Sequence, residues 1–174
     1  MLIFIAGIHG VGKGYLCERY ILNNDFLHKS ASQLIRENGN ITLSSDKLTT
    51  DIERNQAILI SALDKMREND ENLLLDGHFS LIGENGSVNL LPCEIFKLMK
   101  IDAVILIEND KDLIEKRILD RDGSKPLYDI MNFMTSERNN AISICNKLEI
   151  PLKTLTAPNL NEFDEAIKEI RRRK

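Results

Sequence analysis

The stretch Leu2-Ile3-Phe4-Ile5-Ala6-Gly7-Ile8-His9-Gly10-Val11-Gly12-Lys13-Gly14 decides the fold. Five apolar residues without polar alternation read as a strand buried on both faces. Four of the nine glycines then fall between Gly7 and Gly14, and a helical pattern follows with Leu16, Cys17, Tyr20 and Ile21. Glycines let the backbone curl so that successive N–H groups converge on one centre. The helix start adds partial positive charge, and Lys13 a mobile cation; together they suit a phosphate. The spacing is G-x-x-x-x-G-K in a strand–loop–helix setting, the pattern of a phosphate-binding loop. That pattern continues with a Ser or Thr whose hydroxyl ligates Mg²⁺, whereas this sequence has Gly14, which offers no oxygen. The rival reading, a dinucleotide-binding turn, wants an acid at the end of the second strand. That strand ends His28-Lys29, and the rival gives Lys13 no role.

Outward from this loop, strand and helix signals alternate. Leu73 to Leu75 and Ala103 to Ile107 are further continuous apolar runs, while Phe26 to His28 and Leu152 to Leu155 are shorter and more polar, as sheet edges are. Thr50-Asp51-Ile52-Glu53 reads as a capping box opening a helix with Ile52, Leu59, Leu63 and Met66 on one face. Asn109 is placed to cap the next helix, carrying Leu113, Ile114, Arg117 and Ile118. A long helix follows Tyr128, with Ile130, Phe133, Met134, Ala141, Cys145 and Leu148, and a last one near Asn159 uses Phe163, Ala166, Ile167 and Ile170. This alternation predicts an α/β domain spanning 1–174: a five-stranded parallel sheet, order 2-3-1-4-5, with helices on both faces. The polar stretches Asn38 to Thr49 and Ile82 to Asn89 exceed ordinary connections and are candidate functional loops.

Composition narrows the class. The 174 residues are 43% hydrophobic and 29% charged, as in an ordinary globular domain. With 23 Lys+Arg against 27 Asp+Glu the net charge is -4, which argues against nucleic acid as a partner. The basic tail Arg171-Arg172-Arg173-Lys174 suits the negative end of a helix. No apolar run reaches the roughly 20 residues of a membrane span, and the first residues lack the basic start of a signal peptide. Cys17, Cys93 and Cys145 are odd in number and widely spaced, so neither a disulfide framework nor a zinc site is expected. A cytoplasmic protein is expected.

Three more groups of residues carry possible chemistry. Leu73-Leu74-Leu75-Asp76-Gly77-His78 puts a carboxylate at the end of a buried strand beside the loop, where an acid orients Mg²⁺ or its waters. Many strands also end in a turn-forming Asp-Gly, and His78 reads equally as a substrate contact or a structural donor. Arg117 and Arg121 lie four apart near a helix end, followed by Lys125, where cations can cover a migrating phosphoryl group. Basic residues also suit a helix end for its dipole alone, and Arg138 reads as either a further cation or a solvated charge. After the second strand, Ser30 or Ser32 caps a helix that carries Arg36 toward the crevice at the strand ends, where an arginine can hold an acceptor phosphate.

In this order and spacing the pieces resemble P-loop nucleoside-monophosphate kinases, most of all archaeal-type adenylate kinases, over nearly the whole chain. Asp76-Gly77-His78 is similar to that group's Asp-Thr-His, Arg117-Ile118-x-x-Arg121 to the Arg-Ile-x-x-Arg entry to the lid, and Gln33-Leu34-Ile35-Arg36 to the segment that grips the acceptor phosphate. The sequence departs at Gly14, at Phe79-Ser80 where relatives place an arginine, and at Lys125 where the lid has another. The resemblance implies an acceptor-binding segment over about 30–70 and a short lid over about 121–128.

The expected activity is transfer of the γ-phosphoryl group of ATP to a small acceptor, a nucleoside monophosphate. Lys13, Asp76, Arg117 and Arg121 form the expected catalytic set. Gly7, His9, Gly10, Val11, Gly12, Lys13, Gly14 and Tyr15, with both arginines, hold ATP. Ser32, Arg36 and His78 hold the acceptor, and Asp76 holds Mg²⁺ through water. The expected partners are nucleotides, with no nucleic acid or membrane, and the expected state is a monomer or small homo-oligomer. Gly14 motivates the alternative, an ATP-binding regulatory module or slow ATPase. A P-loop enzyme acting on a macromolecule is the weakest reading, since no base-reading Asn-Lys-x-Asp is present.

Overall fold

In the computed structural model, which describes residues 1–39, 52–69, 71–83 and 85–173, β1 (Leu2–Ala6) is the central strand of a five-stranded sheet. The glycine loop leads from it into α1 (Lys13–Ile21), followed by β2 (Leu27–Ser30), α2 (Ala31–Gly39), α3 (Ile52–Glu68) and β3 (Leu73–Asp76). A hairpin of β4 (Ser80–Ile82) and β5 (Val88–Leu90) precedes α4 (Cys93–Met99) and β6 (Ala103–Glu108). Then come α5 (Lys111–Asp122), α6 (Ile130–Leu148), β7 (Leu152–Thr156) and α7 (Leu160–Arg172). The sheet order is β2-β3-β1-β6-β7, every pairing parallel. Among the five parallel strands this is the expected 2-3-1-4-5; the labels shift only because the hairpin intervenes.

The central strand shows why the core has two halves. Side chains alternate across a strand, so Leu2, Phe4 and Ala6 join Leu73, Leu75, Val104 and Leu106 under α3, α4 and α6. Ile3 and Ile5 join Leu74, Ile105 and Ile107 under α1, α5 and α7. All five residues of β1 are buried, and each large side chain removed from water contributes about 1.5–3 kcal/mol. Covering both faces is what removes any polar alternation from the strand.

Four helix starts carry side-chain caps. Ser30 accepts from the N–H of Gln33, Asp129 from those of Met131 and Asn132, and Asn159 with Glu162 forms a reciprocal capping box. The expected cap at Asn109 is corrected to Asp110, which accepts from the N–H groups of Asp112 and Leu113. A carboxylate at that place also suits the helix dipole, and Asn109 instead accepts from Asp110 N–H.

The stretch from Ile82 to Asn89 is likewise not a free loop, since Ser80–Ile82 pairs with Val88–Leu90. Three-residue strands show no period in sequence, and this pair is held from outside. Asn140 of α6 donates to the carbonyls of Phe79 and Leu91. The Thr50-Asp51 start of the expected capping box, and most of the stretch after Asn38, lie outside the described residues. All three cysteines are free thiols. Among the described residues no helix is long and apolar enough to cross a membrane, and no cluster of three or more His, Cys, Asp or Glu side chains suits a metal.

Candidate phosphate-transfer site

The glycine loop sits at the C-terminal edge of the sheet, where β1 feeds α1. Gly7 has φ 137, and a Cβ there would lie 2.4 Å from the Ile107 carbonyl oxygen, so only glycine lets the loop pass this close to β6. The Lys13 ammonium is buried and turned into the loop, donating to the carbonyls of Gly7 at 2.5 Å and Ile8 at 3.3 Å. Burial pushes it below the ordinary lysine value, while the carboxylates of Asp76 and Glu137 pull it back up. Arg117 closes the other side of the loop. Its guanidinium donates to the carbonyls of Gly10 and Val11 at 3.1 Å each. The expected donor residues are therefore brought together, except that the Tyr15 side chain is exposed beneath Arg19.

All three histidines of the chain collect at this mouth. His78 Nε2 lies 3.3 Å from the Lys13 ammonium, and its ring packs against His9 with centroids 4.3 Å apart. Burial, then Lys13 and His9, hold His78 well below the usual histidine value, so it is a neutral acceptor toward the lysine. His9 is held at about 4 by burial first, then by the charges of Lys13 and Arg121. His9 is nonetheless exposed at the surface, its ring lying against those of His78 and Phe133. His28, two residues before the end of β2, bonds the Asp76 carboxylate through Nε2 at 2.7 Å.

The cations expected over the migrating group divide. Arg121 faces His9 but forms a two-point ion pair with its neighbour Asp122, at 2.6 and 2.8 Å. Lys125 pairs with Glu115 at 2.9 Å, tying the segment after α5 back to that helix. Arg138 is a half-exposed helix charge, and it pairs with Glu108 at the end of β6. On the acceptor side, Ser32 and Arg36 lie exposed on α2. Ser32 meets Ser30 at 3.1 Å, and Arg36 makes no hydrogen bond or ion pair among the described residues. Phe79 fills the position where relatives were expected to place an arginine. It is fully buried and stacked on Phe96 at 4.3 Å.

Sequence reading missed two residues. Glu137 of α6 is 1% exposed, yet it accepts from the N–H groups of Gly7, Phe79 and Ser80 and from the Ser80 hydroxyl. Burial pushes its carboxyl above the usual carboxylate value, and the Ser80 hydroxyl, the N–H groups of Phe79 and Ser80, and the Lys13 charge oppose the rise. It thereby fastens the phosphate loop to the segment after Asp76. The signal was its spacing: Phe133, Glu137 and Ala141 form one inward stripe, in which a charged residue reads as out of place. His28 was passed over as the polar end of an edge strand, although strand ends are where this topology builds its crevice.

A parallel sheet in this order, with a glycine loop and lysine at the C-terminal end of its first strand, defines a P-loop NTPase fold. A family profile described as an AAA domain (AAA_17) matches residues 6–132, and the chain belongs to that family. Among curated proteins, none matches the sequence. Solved structures share the fold at low identity. Shikimate kinase from Aquifex aeolicus superposes with a TM-score of 0.57 at 16% identity, over 98% of this chain and 96% of that one. A sugar kinase from Janibacter sp. HTCC2649 gives 0.57 at 11% identity, over 96% and 92%. A candidate kinase from Chloroflexus aurantiacus gives 0.61 at 12% identity, over 97% and 96%.

Proposed function

We propose that the protein is an ATP-dependent phosphotransferase that moves the γ-phosphoryl group to a small acceptor, a nucleoside monophosphate. The observation that carries this reading is the buried Lys13, held inside the glycine loop with Arg117 fixed across its rim. Phosphoryl transfer asks little covalent chemistry of a protein; it needs alignment and cations where charge builds on the moving oxygens. Lys13 leaves the loop carbonyls for the phosphates, and the loop N–H groups bind them. Arg121 exchanges Asp122 for the transferring group as the short lid, about 121–128, closes and expels water. Ser32, Arg36 and His78 hold the acceptor, within the segment of about 30–70 and at the strand end beside it.

Mg²⁺ requires oxygen ligands and commonly takes one or two carboxylates with phosphates and waters. Only Oδ2 of Asp76 is engaged, so Oδ1 makes no hydrogen bond among the described residues. The donor set thus fits an ion held chiefly by the substrate phosphates, with Asp76 reaching it through water. When bound, the ion neutralises the phosphates. A cytoplasmic enzyme, acting as a monomer or small homo-oligomer, completes the proposal.

The test is a transfer screen with ATP and Mg²⁺ against AMP, CMP, UMP, GMP, shikimate, simple sugars and no acceptor. ADP formation that depends on a nucleoside monophosphate, and is lost in Lys13→Ala, is expected. Turnover with shikimate or a sugar alone would replace the acceptor class. Tight ATP binding with no acceptor-dependent turnover would favour a nucleotide-binding module.

A further inference from the structure

We propose that His28 compensates for the missing P-loop hydroxyl by aiming the Asp76 carboxylate, so that the cation place of this loop rests on an imidazole–carboxylate pair. The inference rests on reading the loop as a metal–nucleotide site, and it concerns a residue that no part of that reading uses.

Three observations converge on it. The first is the side of the sheet on which the pair lies. β2 and β3 run parallel with His28 opposite Leu74 and Ser30 opposite Asp76, and Ile3 and Ile5 of β1 stand beside Leu74 and Asp76. Registered residues of a parallel sheet share a face, and Leu74, Ile3 and Ile5 all pack on the α1 side. His28 and Asp76 therefore project toward the start of α1, the helix that carries Gly14. The second observation is electrostatic. Lys13 and Cys17, which bracket Gly14 on the first turn of α1, both feel the Asp76 carboxylate.

The third is the space at Gly14 itself. A Cβ built there meets nothing within 4 Å, and its φ is not left-handed. Neither packing nor backbone geometry demands glycine. The space beside Gly14 is open, and the Asp76 carboxylate bonds His28 through one oxygen at 2.7 Å.

The physical consequence concerns orientation. A carboxylate that serves a metal is aimed by the hydrogen bond its other oxygen accepts, and losing such a partner typically costs 10–100-fold in metal affinity. With Oδ2 fixed by the imidazole N–H, Oδ1 is presented toward the loop in one direction. His28 is thus a positioning residue, acting on the cation only through Asp76. Both side chains are mostly buried, 12% and 17% exposed, so water competes poorly for their bond.

The experiment is a double-variant cycle read by calorimetric binding of ATP, with Mg²⁺ and with EDTA, to the full chain carrying no acceptor. The difference between the two affinities is the metal-dependent gain. His28→Ala is expected to lower that gain about tenfold while leaving EDTA affinity unchanged. Gly14→Ser should restore most of it in the His28→Ala background and add much less to the wild type. His28→Gln, which keeps a donor for Asp76, should retain more than His28→Ala and serves if the alanine variant does not fold.

A His28→Ala protein with an undiminished metal-dependent gain would overturn the proposal. So would a Gly14→Ser effect of equal size in both backgrounds. Metal-independent ATP binding by the wild type would overturn it as well, while leaving nucleotide binding intact. ATP that fails to bind the wild type under either condition would overturn the reading of the loop itself, and this inference with it.

Discussion

The two sides of the site are built differently. On the donor side three groups are anchored: Lys13 on loop carbonyls, Arg117 across the rim, and Gly7 N–H on the buried Glu137. On the acceptor side Ser32 and Arg36 stand exposed on α2, and among the described residues Arg36 makes no hydrogen bond or ion pair. Lys13, Arg117 and Gly7 are thus tied to the surrounding protein, whereas Ser32 and Arg36 are held by fewer polar contacts among the described residues. Preorganised dipoles and charges stabilise a transition state without reorganising when charge develops. The contrast predicts that damage on the donor side destroys chemistry or fold, while damage on the acceptor side changes apparent affinity.

The largest effect tests the donor side directly. Lys13→Ala should lower kcat by at least about a hundredfold, the scale of removing one preorganised charge contact. Thermal denaturation should show the fold retained, since the variant removes a buried cation instead of a core side chain. A residual rate within tenfold of wild type would show that the lysine is only a strut.

Glu137→Ala should come next, as a loss of stability. It leaves three backbone N–H groups and a hydroxyl without their acceptor in a dry place. Removing one partner from a buried charged network costs about 3–5 kcal/mol, readable as a fall in the urea midpoint. Glu137→Gln should lose less, because its amide oxygen still accepts. Equal losses in the two variants would mean that the side chain's volume matters more than its acceptors.

Arg36→Ala sharpens the other half of the comparison. It should raise the acceptor KM about tenfold, leaving the ATP KM and urea midpoint unmoved, since one charge-assisted contact contributes about 1.5–3 kcal/mol. A matching rise in the ATP KM would erase the distinction between the two sides.

The smallest expected effect is a pH dependence at the mouth. His9 is held at about 4 in the fold against 6.5 when free of it. Between those values the unfolded chain binds a proton that the folded chain does not. Stability is therefore lost as pH falls through 6.5 toward about 4, with no cost above that window. His9→Asn should flatten that part of the stability–pH curve. ATP phosphates oppose the positive charge that depresses His9, so nucleotide binding near pH 6 should draw in protons. Calorimetry in two buffers of different ionisation heat would show it, and identical heats would refute it.

Much of the fold was legible because single strands carry their own signature. β1 is apolar throughout since it is covered on both faces, and the five strands and their order follow from that and from crossover handedness. The hairpin β4–β5 was not legible, because Asn140 of a distant helix holds strands too short to show a period. The same division runs through the site. Gly7 to Lys13 announce a phosphate loop by local spacing, as close turns and a helix start are local matters.

What the amino-acid sequence determined by itself was whatever depends on neighbours along the chain: the glycine loop and its lysine, the buried strands, and the helix starts after Tyr128 and near Asn159. Tertiary structure alone decided which charges meet. It placed Glu137 beneath Gly7, 130 residues away in sequence, and His28 against Asp76, 48 away. It also spent Arg138 on Glu108 and Phe79 on the core. The physical reason is that hydrophobic period and turn chemistry are short-range along the chain. A buried carboxylate, in contrast, finds its donors wherever the packed sheet and helices bring backbone N–H groups and imidazoles together.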